Sequence, residues 1–529
     1  MNSLSHIKGI ASLVACAAIT LIGCAELSAQ NQSGMSEFFK TEDIWGTPLA
    51  LRNGYQVDLQ RNPWFRGHNI NGIRFAQSSR AYAELDARYE GGSYRSNDES
   101  VEQWGVGAVT EGIRHFNTIS LQGSFSFDHT QAYGMCGSMM LNPGYYPVDL
   151  VEFVPGRKTR QTYTVSGGIS ASVAPNWLIG VNGDFMSTNW SKLKDLRYTN
   201  YGLDFSLSPS FLYYNSQFKF GLSYTFQKVG ETIKAEQIGT GKDTYYAFLN
   251  KGNHFGIYQS WEGSGVHLSE FGVNGFPVKE FGHDISLQLG YKDFYAEAGF
   301  VYAHAKMGER DTEWFDAPTF GVHADLAWSL QKQNIRHQLA LNFEWKYQYN
   351  IEHVLDKSVE GGVTIVEDYG QNRIFARDHY ILIPQYGLYT DKFRFGAEAR
   401  IDYQASIGTQ VYPFFNREHL LVGEMVLSAS WLLPRGFEIG CSLAGSKGYD
   451  KLSCSNERPE SLFYLESWHK TAKEYLTSAR ITSQLSLKWK FWRGMYASVQ
   501  ATCRAKFHAP VDLPGRVRTL SLISLGYEF

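Results

Sequence analysis

The sequence predicts an all-β fold: an antiparallel transmembrane β-barrel of about 16–18 strands, with short turns at one end and long loops at the other. Three observations predict it. Long segments alternate apolar and polar residues with a period of two, their connections alternate between tight and long, and aromatic residues gather beside the tight connections.

Composition agrees. Of 529 residues, 19% are charged and 15% aromatic, with 51 Gly, against roughly 25% charged in an average globular chain. A mean hydropathy of −0.30 is too polar for a bundle of transmembrane helices. The net charge of −3 gives no electrostatic footprint for nucleic acid.

In chain order, Lys8 precedes the apolar run GIASLVACAAITLIG and then CAELSAQ. This is the pattern of an export signal, residues 1–29, cleaved after Ala29. The alternative is a lipoprotein signal that ends before a lipidated Cys24. Residues 30–79 follow as a periplasmic segment or an inserted plug. They include IWGTPLALRNG and NPWFRGHNINGIRF, and Asn31 to Ser79 is long enough to obstruct a lumen.

Residues 80–529 carry the strand pattern. In RHQLALNFEWKYQY, Leu339, Leu341, Phe343, Trp345 and Tyr347 share one face, with Gln338, Asn342, Glu344 and Lys346 on the other. DKFRFGAEARIDY sets Phe393, Phe395, Ala397 and Ile401 against Arg394, Glu398, Arg400 and Asp402. Strands of a dozen residues match the length that crosses a bilayer at a tilt. Tight connections fall at Phe116-Asn117, Ala174-Pro175, Asn215-Ser216, Lys292-Asp293, Gln331 to Asn334, Thr390-Asp391, Pro434 to Gly436 and Arg493-Gly494. Long ones run from His129 to Arg160, Lys228 to Lys279, Asn350 to Ala376 and Lys447 to Ala472. Near the tight turns stand Trp177, Tyr291, Trp328, Trp431 and Trp489, the expected girdle at one membrane interface. Cys441 and Cys503 lie on the apolar face, whereas Cys136 and Cys454 fall in long loops and are a possible pair.

Parity assigns the polar positions to the lumen. Arg480, Arg504, Lys506, Arg516 and Arg518 then form a basic wall on the last three strands. Asp284, Glu297, His323, Asp325 and Glu344 form an acidic wall on four consecutive ones. Opposed walls would set a transverse field across a pore. The competing reading, given more weight, is that these charges pair with neighbours and fill the lumen; Glu84 and Asp86 adjoin the basic group once the barrel closes. His323 with Asp325 is too little for catalysis, since neither a nucleophile nor a metal cluster is arranged with them. GTGKD at Gly239 to Asp243 lacks the glycine and hydroxyl spacing of a phosphate loop.

The chain ends SLISLGYEF, with Leu525, Tyr527 and Phe529 on its uncharged face. With the export signal and the strand rhythm, this ending resembles bacterial outer-membrane β-barrels of the Bacteroidota type, and more narrowly a domain-of-unknown-function family. The resemblance implies a cell outer membrane location, contact with outer-membrane lipid, and a terminal signal (Leu525, Tyr527, Phe529) read by the barrel-assembly machinery. It supplies no catalytic residue, metal or cofactor. The expected function is porin-like passage of small hydrophilic solutes. The alternative is a non-conducting scaffold partnered with a TonB-dependent transporter or another envelope complex; a barrel enzyme ranks third, and the protein is expected not to be an enzyme.

Overall fold

The computed structural model describes residues 47–60, 62–76, 78–194, 196–237, 245–261, 265–266, 276–308, 312–360, 363–507, 513 and 515–529. The expected signal peptide, Cys24 and the GTGKD stretch lie outside the described residues. Among the described residues are 22 strands, and 18 of them close into one antiparallel barrel. In chain order these are β1 (Arg80–Gly92), β2 (Glu102–His115), β3 (Ile119–Ser138), β4 (Asp149–Ala174), β5 (Trp177–Lys192), β6 (Arg197–Tyr214) and β7 (Phe218–Gln237). After three short strands come β11 (Phe276–Tyr291), β12 (Phe294–Gly308), β13 (Glu313–Lys332), β14 (Ile335–Glu360), β15 (Val363–Tyr389), β16 (Phe393–Val411), β17 (Phe414–Leu432) and β18 (Phe437–Ser455). The last three are β20 (Arg480–Trp492), β21 (Met495–Lys506) and β22 (Val517–Glu528). The ring closes where β1 pairs with β22, from Tyr82 opposite Glu528 to Gly92 opposite Arg518.

The strand faces explain the fold. On β11, Phe281, Ile285, Leu287 and Leu289 are 45–52% exposed on the outside, while Glu280, Asp284, Ser286 and Gln288 are buried inside. Leaving a large apolar side chain in water forgoes roughly 1.5–3 kcal/mol. Such an inverted face, repeated round the ring, is stable only against hydrocarbon. The girdle is present as ring pairs beside the tight turns: Trp177 with Tyr213 at 4.8 Å, Phe393 with Trp431 at 5.5 Å, and Phe437 stacked on Trp489 at 5.6 Å. The turns themselves are left-handed at Asn176, Lys292, Gln333 and Arg493, the twist that suits two-residue hairpins.

At the other end the strands outlast the expected loops. The stretch from Asn350 to Ala376 is a projecting ribbon of β14 and β15, because backbone pairing satisfies itself in water as well as in lipid. The Lys228 to Lys279 stretch contributes a hairpin of β8 (Tyr245–Asn250) and β9 (Phe255–Trp261), then β10 (Gly265–Val266). β8 pairs with the loop end of β4, and β9 with the two-residue β19 (Phe463–Tyr464). Cys136 and Cys454 are free thiols, contrary to the possible pairing.

The lumen is filled from both ends. Residues 47–76 form a helical turn, α1 (Gly54–Gln60), and short 3-10 turns that pack on the wall near the tight-turn end. Toward the loop end, Met139, Met140, Tyr145 and Tyr146 pack on Val301, Ala303, Ala305 and Met307 of β12. The expectation of a polar lumen is therefore corrected: the inner face of β12 turns apolar beyond Glu297, where an inward loop covers it. A helix, α2 (Glu466–Thr477), caps the same end and contacts β17 and β18.

Candidate functional site in the barrel lumen

The stretch Asn62 to Asn71 builds the plug's contact with the wall. Asn62 caps the turn Pro63–Phe65 by accepting from the Trp64 N–H at 3.1 Å, and Asn69 caps the turn Ile70–Phe75 through the Asn71 N–H at 3.1 Å. Between the two caps, Arg66, Gly67 and His68 form a link pressed on the acidic wall. Trp64 anchors one side, its ring edge-on to Tyr295 at 5.1 Å. Asn69 anchors the other, donating to Gln288 Oε1 at 3.1 Å and to the Phe211 carbonyl at 2.8 Å.

Four residues of the expected acidic wall meet here. Arg66 Nε lies 3.2 Å from Asp325 Oδ1, and its Nη2 donates to Gln385 at 3.0 Å. His68 Nδ1 is bonded to Glu297, which also accepts from the Tyr295 hydroxyl. His323 Nε2 lies 3.0 Å from Asp284 Oδ2, and Ser286 donates to Asp284 at 2.7 Å. His323 thus pairs with Asp284 across strands, whereas Asp325 faces the plug's arginine. Glu344 is half-buried on β14, opposite His323 in the register. One ring nitrogen each of His68 and His323, with an oxygen of Glu297, lie within 4.8 Å of one another, a group able to hold a metal ion.

Two glycines make room for this group. A Cβ on Gly67 would stand 1.7 Å from the Tyr295 hydroxyl and 2.0 Å from Glu297 Oε2. One on Gly299 would stand 2.1 Å from His323 Nε2.

The expected basic wall contacts the inward-folded loop-end segments instead. Arg504 Nη1 donates to the Tyr475 hydroxyl at 2.9 Å, and Arg480 Nη1 to the Tyr475 carbonyl at 3.3 Å. Lys506 bonds the Leu513 carbonyl and sits 5.4 Å over the Tyr94 ring. Arg518 pairs with Glu90 at 2.5 Å and donates to the Ser100 carbonyl at 2.8 Å. Arg516 is exposed. Glu84 accepts from the Tyr496 hydroxyl, and Asp86 lies 3.6 Å from Arg88. At the chain end, the Phe529 N–H donates to the Ala81 carbonyl at 2.8 Å; the rings of Tyr527 and Phe529 are 4.4 Å apart, and Leu525 is exposed.

Among the cavities of the described residues, two at opposite ends of the lumen have no lining residue in common. One of about 850 Å³ opens at the tight-turn mouth beside Tyr55, Lys219, Lys292, Arg336 and Arg394. The other, about 330 Å³, lies at the loop end and is lined by Arg160, His254, Arg377, His379, Asp402 and Lys473. In the latter, His254 stacks on His469 at 4.3 Å, and His469 Nε2 is 2.9 Å from Glu418. Burial and the adjacent His469 hold His254 down to about 3.

Sequence reasoning singled out neither Arg66 and His68 nor Tyr475. The first two lie between asparagine caps, a local signal of fixed geometry. Tyr475 follows Trp468 and Ala472 at helical spacing within a stretch read as loop.

A model described as "Family of unknown function (DUF6850)" matches residues 72–529. No curated protein matches the chain. Among solved structures, the siderophore receptor PiuA from Acinetobacter baumannii is 8% identical, with a TM-score of 0.40 over 84% of this chain and 82% of that one. A mutant of the ferric enterobactin receptor PfeA from Pseudomonas aeruginosa is 9% identical, with a TM-score of 0.38 over 85% and 80%. The copper transporter OprC is 10% identical, with a TM-score of 0.37 over 84% and 80%.

Proposed function

The chain belongs to the DUF6850 family of unknown function, and for it we propose gated passage of small hydrophilic solutes across the outer membrane, with residues 47–76 as the gate. The observation that carries this reading is the pair of cavities, one at each end of the lumen, that share no lining residue, with the plug beside the tight-turn one. The plug is held by ion pairs and hydrogen bonds (Arg66 to Asp325, His68 to Glu297, the Leu49 N–H to Glu398 at 3.1 Å, the Ala50 N–H to Ser428 at 3.2 Å) and by apolar packing of Tyr55, Phe65, Ile70 and Ile73 on Tyr82 and Ile113. An outer-membrane location is supported by the apolar belt, the aromatic girdle, and the contrast between short turns and long loop-end segments.

The second reading is a non-conducting scaffold serving a larger envelope complex. It is favoured by the apolar packing of Met139 to Leu150 inside the loop-end lumen. Planar-bilayer recording separates the two. The full chain should stay mostly closed, and deletion of Asn31 to Ser79 should give discrete open-channel steps. A deletion variant that folds and remains closed sinks the gate; retention of a stable envelope partner in pull-downs then supports the scaffold.

A further inference from the structure

We propose that His68, Glu297 and His323 bind one divalent transition-metal ion of the zinc class, and that this ion pins the plug to the barrel wall. The three side chains come from separate parts of the chain: the plug, β12 and β13. Their ligand atoms, within 4.8 Å of one another, approach the spacing of about 3.4 Å between ligands round a tetrahedral ion. Gly67 and Gly299 are what let the three side chains come this close, since a Cβ on either would press on Glu297 or His323. Imidazole and carboxylate together are the donor set that zinc and its neighbours in the series prefer over magnesium or calcium.

Charge supplies the second argument. Asp284, Glu297 and Asp325 bring three negative charges to a buried group, and Arg66 returns one. The three carboxylates therefore outnumber the one guanidinium by two, an excess that a divalent cation would match. Buried like charges 4–6 Å apart are costly unless something of the opposite sign stands among them. The His68 and His323 rings have centroids 4.7 Å apart, close enough for both to ligate one ion. Asp284, seated on His323 Nε2 and itself bonded by Ser286, is placed to orient that ring or to enter as a fourth ligand.

Metal binding does not depend on passage, whereas the pinning role rests on the gate reading, so the two are measured separately. The full-length protein, without a polyhistidine tag and refolded in detergent after chelator treatment, is titrated with Zn²⁺ by calorimetry and with Co²⁺ by visible absorption. One equivalent should bind with a tetrahedral or five-coordinate cobalt spectrum. His68→Ala and His323→Gln should each weaken binding more than about 100-fold, and Asp284→Asn about 10- to 100-fold. His353→Ala, at the separate cluster where His353 and His304 flank Asp316, should leave it unchanged. Because His68 lies outside the barrel strands, its variant reports on the site even where His323→Gln misfolds. Absence of binding, or binding indifferent to His68→Ala, overturns the site. Binding as expected with no slowing of protease cleavage in residues 62–76 keeps the site and refutes the pinning.

Discussion

Arg66 and Asp325 lie 259 residues apart in sequence, yet 3.2 Å separates Nε from Oδ1, and their side chains are 9% and 11% exposed. The pair joins the plug to a wall strand in a setting where neither charge is well hydrated. Removing one partner of such a pair costs more than the pair contributes, because the other is left bare.

Arg66→Ala should therefore loosen the plug by about 3–5 kcal/mol. The readout is protease cleavage within residues 62–76 of the folded barrel, which should accelerate. Adding Asp325→Asn to the same chain should restore part of the protection.

Gly67→Ala tests close approach rather than charge. The new methyl would meet Tyr295, which is fully buried and cannot swing away. Overpacking of this kind costs about 1–3 kcal/mol. Trp64 fluorescence should shift toward that of a hydrated indole, with the barrel's own unfolding transition unchanged.

Acid should open the loop-end chamber. His254 is neutral when the chamber is closed, since its value there is about 3 against an ordinary 6.5. The opened form takes up a proton below about 6.5, and the closed form does not. Closure is thus fully favoured above that pH and weakens as pH falls toward 3, by about 1.4 kcal/mol per unit. Hydrogen exchange across 245–258 should speed up over this window. His254→Asn should flatten the dependence; an unchanged slope refutes the assignment.

Glu152 bridges two buried lysines, at 3.3 Å to Lys158 and 2.5 Å to Lys192. Glu152→Gln leaves both ammonium groups facing each other. A loss of about 3–5 kcal/mol is expected, measurable by denaturant titration in detergent micelles.

On the outside, Ile523 is 61% exposed near the middle of β22. Ile523→Lys should cost about 2–4 kcal/mol in lipid vesicles. The same variant in a soluble sandwich would be nearly neutral, so the measurement also tests the surrounding solvent.

The barrel was legible because its rule repeats. The wall strands share one period; β1 begins at Arg80, as the alternation predicts, and β22 ends at Glu528, one residue short of the expected Phe529. The lumen was legible only in part. Asp284, Glu297, His323 and Asp325 share the inner face by parity, but His68 joins them from a segment that occurs once and has no period. The basic group was identifiable as inward-facing without its partner, because Tyr475 reaches it from a helix embedded in a long connection. Val301 to Met307 have the composition of a core strand, and only the Met139 to Leu150 loop explains why such residues face inward.

The seam between β1 and β22 sets an order of events in the cell. Gly91 and Thr519 meet across 428 residues of chain, so the ring cannot shut until β22 has been made. Until β22 arrives, β1 carries a free row of N–H and C=O groups, the kind of edge that recruits other chains. Closure is also the contact with the greatest loop entropy to overcome. A chain that lacks β22 therefore leaves the β1 edge open and cannot seal the barrel.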